Sequence, residues 1–314
     1  MTDGEFRRTN FQDSFASAVS GLSLGGNVPF RPDAPPEKAR PGTKSEDPTL
    51  GSPQRAESRL RLVRNRPLEE FRFAQSVANV PAKVTILGPA RIMQRYDAAS
   101  SRDVYRDVDE FLEDLIAVQR QMVQEVVAAG CKYVQIDAPA YTAYVDPTWQ
   151  AALRARGDDP DESMERAIRA DNAVIAGFSG VTFGIHICRG NRQSTYHREG
   201  PYDPIAERLF AGLHHQRLLL EYDSDRAGGF EPLRFVPPDK VAVLGLVSTK
   251  FPSLEAADAV IRRIDDASRF LPVDRLAVSP QCGFASSFPG NKLSEEDQWR
   301  KLKRVREVAT RVWS

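Results

Sequence analysis

An α/β fold of the (β/α)8, TIM-barrel type is what this sequence predicts, and three observations predict it. Six short, almost unbroken apolar runs alternate with longer amphipathic segments, the pattern of parallel strands covered on both faces by helices. Nearly every run ends in a residue with useful chemistry: Asp137, His186 with Cys188, Glu221, Ser248 to Lys250, and Cys282. Barrel sites are assembled from the C-terminal ends of several strands, whereas an open doubly wound sheet gathers its ligands at one switch point. No GxGxxG or P-loop motif occurs, which also weighs against a nucleotide-binding sheet.

The elements follow in order. Residues 25–57 are rich in Pro, Gly and charge with few apolar residues, and read as a long loop, disordered or a lid. Strands are expected at 83–89, 133–139, 181–188, 217–223, 241–249 and 275–282. Between and after them, helices are expected at 103–129, 160–178, 203–216, 253–269 and 294–313, where apolar residues recur at helical spacing, as in Phe111, Leu112, Leu115, Ile116, Val118 and Met122. Asp103, Ser253 and Ser294 are the expected N-caps and Gly130 a C-cap. The whole chain, 1–314, reads as one barrel with the 25–57 loop inside it.

Composition narrows the function. Charge is balanced, 43 basic against 43 acidic residues, so neither nucleic acid nor an anionic membrane is implied as a partner. There is no run of 18 apolar residues and no signal-peptide segment, and three cysteines do not make a disulfide scaffold. A cytoplasmic location is the expectation.

The chemistry concentrates in GIHICRGN, residues 184–191, where His186 and Cys188 stand two apart. In a strand, i and i+2 point to the same side, so both can reach one ion. Glu221 ends the next strand and Cys282 the last. The set N, S, O, S at one barrel mouth suits tetrahedral zinc. The alternative is that Cys188 and Cys282 are ordinary small buried residues and His186 a satisfied polar one. Cys131 reads as packing, and His197, His214 and His215 as surface residues of a loop and a helix.

The segments QIDAPA (135–140), GIHICRGN, LLLEYDSD (218–225), GLVSTK (245–250) and SPQCGF (279–284) resemble the catalytic, C-terminal barrel of the cobalamin-independent methionine synthases, here in a single-barrel form. That family binds zinc through His-x-Cys, a Glu, and a Cys in a motif of the type N-P-D-C-G. The resemblance implies His186, Cys188, Glu221 and Cys282 as Zn2+ ligands and Asp137 as the carboxylate holding the amino group of homocysteine. It implies the same contact for Glu5, in DGEFRR. Lys250 departs from the family, which carries a histidine near this position for proton transfer to the folate leaving group; a lysine there retains the ability to bind an anion or donate a proton. Ala138 departs from the D-E-P of many relatives. Arg189 and Asn191, after the zinc strand, are candidates for a substrate carboxylate or sulfonate.

Placed against the family, Glu5 should follow the second barrel strand, so the first strand and its helix are expected to be missing, together with a Gly-Ser motif that grips the substrate carboxylate. The expectation is a true start upstream of Met1, or a marginal 314-residue product. The implied function is zinc-dependent transfer of a methyl group to the thiol of homocysteine or another small thiol, the donor being methylfolate or a methyl-corrinoid protein. Alternatives are an epoxyalkane–coenzyme M transferase, for which Asp137 and Glu5 would lack an ammonium partner, a uroporphyrinogen-type decarboxylase, which needs no zinc, and an inactive truncated paralogue.

Overall fold

Unbroken apolar runs have no face suited to water, so they become strands buried on both sides. A computed structural model describes Thr2, Arg8 and residues 11–23, 40–44, 53–285 and 290–314. It opens with α1 (Phe11–Ala16), an antiparallel pair of strands, β1 (Val19–Leu22) and β2 (Ala56–Leu62), and α2 (Arg66–Val77). Then come β3 (Val84–Leu87), α3 (Pro89–Met93), α4 (Val108–Ala128), β4 (Tyr133–Asp137), α5 (Pro147–Ala155), α6 (Pro160–Ile175), β5 (Thr182–Ile187), α7 (Asp203–Gly212), β6 (Arg217–Glu221), β7 (Val241–Val247), α8 (Ala257–Ser268), β8 (Leu276–Pro280) and α9 (Glu295–Trp313).

Strands β3 to β8 form one sheet in chain order, every neighbouring pair parallel. The six expected strands are the six observed, each trimmed by a residue or more at its ends. The sheet therefore shows six parallel strands, with β3 and β8 at its edges among the described residues. Most of the 25–57 loop lies outside the described residues. Its last two positions, Ala56 and Glu57, belong to β2, and residues 40–44 pack on the loop after β5, where Gly42 N donates to Ser194 O at 2.7 Å and Tyr196 N to Thr43 O at 3.1 Å.

Two apolar clusters hold the elements together. The larger joins the sheet to α2, α4, α6, α7, α8 and α9. The smaller packs Phe15, Val19 and Leu60 onto Leu87, Tyr105, Phe111 and Leu115, so the N-terminal ribbon rides on α4. Helix starts differ from expectation where tertiary contacts intervene. Asp107, not Asp103, caps α4, accepting from Glu110 N at 2.9 Å. Tyr105 is drawn out of the helix because its hydroxyl accepts from Leu60 N at 2.7 Å. Ala256, not Ser253, precedes α8, and Ser253 O instead accepts from Lys301 Nζ at 2.6 Å. Ser294 caps α9 through a full capping box with Asp297. Gly130, at φ 99°, follows the C-cap Ala129 of α4. Among the described residues no helix is long and apolar enough to cross a membrane.

Candidate metal centre

The C-terminal ends of β4, β5, β6, β7 and β8 converge on one place. His186, in β5, is in register with Asp137 of β4, and Cys188 lies just past the end of β5. Glu221 is the last residue of β6. Beyond β8, Gln281 N donates to Val247 O at 2.8 Å, which carries the chain into Cys282. The β7–β8 register slips between Gly245 and Val247, a bulge that re-aims the residues that follow. Gly245 suits this close approach: a Cβ would sit 3.0 Å from both Gln281 Cα and Leu220 O.

His186, Cys188 and Cys282 form a group whose ligand atoms all lie within 4.8 Å of one another. Cys282 Sγ is 3.4 Å from His186 Nε2. In a flat sheet, strands three places apart stand about 14 Å apart; here Cys282, two residues past the end of β8, nevertheless reaches His186 of β5. Cys188 is buried, while His186 and Cys282 are partly open.

Glu221 stands beside this group rather than within it. It is fully buried, and each oxygen is engaged. Oε1 accepts from Arg226 Nε at 3.0 Å and Nη2 at 2.7 Å, and Oε2 from the Arg189 backbone N at 2.8 Å and Gln281 Nε2 at 2.9 Å. Gln281 Nε2 also donates to Cys282 Sγ at 2.6 Å.

The charges at the site are mutually dependent. Burial lowers the His186 imidazole, but the Cys188 thiolate, and behind it Asp137 and Glu221, outweigh burial and hold it up at about 9. The hydrogen bond from Cys282 keeps the Cys188 thiol far below its ordinary value against the effect of burial, and His186 adds to this. Burial, and then the charge and hydrogen bond of Cys188, push Cys282 well up. Burial raises Glu221, but Lys250, Arg226 and Arg189 bring it down to about 2, so it is a carboxylate. Burial raises Asp137, opposed by His186 and Gln135; Gln135 Nε2 donates to Asp137 Oδ1 at 2.7 Å.

The remaining expected residues fall into place differently. Lys250 is fully buried, with Nζ donating to Gln281 Oε1 at 2.7 Å. The Arg189 guanidinium is buried among carbonyls, donating from Nε (3.0 Å) and Nη2 (2.6 Å) to Gly200 O and from Nη1 to Glu221 O at 3.2 Å, and it lies over the Tyr202 ring. Asn191 ties three loops together, donating to Thr249 Oγ1 at 3.2 Å and Gly283 O at 2.9 Å and accepting from Asn291 Nδ2 at 3.0 Å. Glu5 lies outside the described residues. Cys131 is buried, as packing requires, and His214 is exposed. His215 is a correction: it is fully buried, in the turn between α7 and β6 rather than on a helix surface. Gln281 and Arg226 were missed. Gln281 was visible as the neighbour of Cys282; Arg226 sits in a loop whose sequence carries no periodic signal.

Residues 52–162 match the profile of the cobalamin-independent synthase N-terminal domain, a stretch upstream of all three grouped donors. Over its full length the chain is 38% identical to the uncharacterized protein YxjG of Bacillus subtilis, covering 80% of it. It is 25% identical to the methionine synthase of Saccharolobus solfataricus, over 90% of this chain and 71% of that protein. A Listeria monocytogenes protein described as a vitamin-B12-independent methionine synthase superposes with a TM-score of 0.71 at 26% identity, covering 100% of this chain and 81% of that one. With full-length similarity to YxjG, the family's domain at residues 52–162 and a shared fold, the chain belongs to the cobalamin-independent methionine synthase family.

Proposed function

We propose that this chain is a zinc-dependent methyltransferase acting on the thiol of homocysteine to form methionine, built on a (β/α)8-type barrel wall. Family membership supports the methyl transfer, and one observation carries the metal: a nitrogen and two sulfurs from β5 and the end of β8, gathered within 4.8 Å. The donors fit zinc. Thiolate and imidazole are its preferred ligands, and their spacing closes onto one tetrahedral ion with small shifts. The approach of Cys282, beyond β8, to His186 of β5 supports the barrel wall.

His186, Cys188 and Cys282 would hold the ion, with Glu221 next to them as the fourth candidate. Zinc held there lowers the pKa of a bound thiol, so that thiolate is present at neutral pH. The residues do the rest. Partial exposure of His186 and Cys282 leaves the entry side of the cluster at the sheet's C-terminal end. Asp137, in register with His186, takes the amino group of the acceptor, which favours an amino-acid thiol over a sulfonate thiol. Lys250 supplies a buried positive charge that offsets Glu221 and the two cysteine sulfurs. Arg189 and Asn191 enter as the frame of the mouth, since their side-chain donors already hold Gly200 O, Glu221 O, Thr249 and Gly283 O.

Zinc content of the purified chain tests the reading. About one zinc per chain is expected, and Cys282→Ser should lose it. Metal-free, folded wild-type protein would sink the proposal. Loaded protein should then form methionine from homocysteine with labelled methylfolate or methylcobalamin as donor, and should leave coenzyme M unmethylated.

A further inference from the structure

Among the described residues, Gln281 bonds at once to one candidate metal donor, Cys282, to the Glu221 carboxylate beside it and to the buried Lys250 behind it. Its side chain is almost wholly buried, at 1% exposure. Oε1 accepts from Lys250 Nζ at 2.7 Å and from Thr249 Oγ1 at 3.1 Å. Nε2 donates to Glu221 Oε2 at 2.9 Å and to Cys282 Sγ at 2.6 Å.

An amide can ordinarily be turned end for end. Here it cannot. An ammonium only donates, so it must face the carbonyl; an ionised carboxylate only accepts, so it must face the NH2 group. Lys250 and Glu221 thus fix one orientation, and that orientation aims a donor at Cys282. The backbone is fixed as well, by the bond from Gln281 N to Val247 O and by the space that Gly245 leaves for Gln281 Cα.

We propose that Gln281 is a positioning residue of the metal site: its amide, oriented by Lys250, holds the Cys282 sulfur and the Glu221 carboxylate in place for the ion. This rests on the zinc reading above and assigns the position before Cys282, where the resembled family motif has an aspartate, a role in setting metal affinity. A carboxylate at this position would keep the bond to Lys250 but supply no donor to Cys282 or Glu221.

The test is zinc affinity, measured by chelator competition, with the cobalt(II) absorption spectrum as a second readout. Gln281→Leu should weaken zinc binding about 10–100-fold, the usual cost of losing an outer-shell partner, and should shift the thiolate-to-cobalt band. Gln281→Glu, nearly the same in shape, should weaken it comparably, because the donor and not the space is what matters. Lys250→Met should weaken zinc binding in the wild-type background but add little to Gln281→Leu. Zinc binding and a cobalt spectrum unchanged in Gln281→Leu would overturn the inference, as would Gln281→Glu binding like wild type, or the Lys250→Met and Gln281→Leu losses simply multiplying. A wild-type chain that binds no zinc would sink the parent proposal instead, and this one with it.

Discussion

At the scale of single residues, the least comfortable side chain is His215. It is fully buried, and neither ring nitrogen meets a partner among the described residues. Burial first, then the charges of Lys240 and His214, bring it down to about 3. Lys240 is close by, its ammonium donating to Leu213 O and, at 3.2 Å, to His215 O. The folded protein therefore keeps this imidazole neutral down to about pH 3, while the unfolded chain takes up a proton near pH 6.5. More protons are bound when unfolded, so stability falls as pH drops through that window, by about 1.4 kcal/mol per pH unit at most for one group. His215→Leu removes the group, and because two unpartnered polar atoms go with it, the substitution should not cost the full price of a core change. Denaturant unfolding at pH 4.5 and 7 checks this: the difference between the two pH values should shrink by about 2 kcal/mol in the variant. An undiminished difference would place the acid sensitivity elsewhere.

At the scale of elements, two substitutions separate local stability from the site. Ser294→Ala removes the cap of α9 and should cost about 1 kcal/mol, with zinc content unchanged. Gly245→Ala puts a methyl group between the backbones of β6 and β8, where no flexible side chain is present to yield. It should cost about 1–3 kcal/mol and also weaken zinc binding, since the strand end it displaces carries Gln281 and Cys282. Equal zinc affinity in Gly245→Ala and wild type would contradict that link. The same elements show what could be read beforehand. Strands β3 to β8 were legible because a doubly buried strand has no polar face to disguise it. Ser294 was legible because cap and partner are local, at N-cap and N3. Asp103 misled because Tyr105 answers to Leu60, a contact far away in sequence. The β1–β2 ribbon was illegible: in AESRLRL only Ala56 and Leu60 are buried, and β1 is four residues long with Gly21 at φ 91°. At the site, His186, Cys188 and Cys282 were legible from residue type and strand position. That Glu221 is held by Arg226, Gln281 and the Arg189 amide was not, since it depends on where loops return.

At the scale of the whole molecule, the donor cluster ties β5 to the end of β8, across two intervening strands and nearly 100 residues of chain. An ion held by all three donors binds the folded chain and has no comparable site in the unfolded one, so its binding energy becomes folding energy. With free zinc at about 1,000 times its dissociation constant the gain is about 4 kcal/mol, which should raise the melting temperature by several degrees and make it depend on zinc concentration. Cys188→Ser and Cys282→Ser should abolish that dependence, whereas Cys131→Ser, altering a buried thiol remote from the cluster, should lower stability and leave the zinc dependence intact. The effect should also have a location. Because β8 is an edge of the described sheet, paired only with β7, removing metal should speed amide exchange most at β8 and the segment following it, and least at the central strand β5. A melting temperature indifferent to zinc, or exchange that quickens uniformly along the chain, would mean that the cluster does not fasten the two sides of the sheet together.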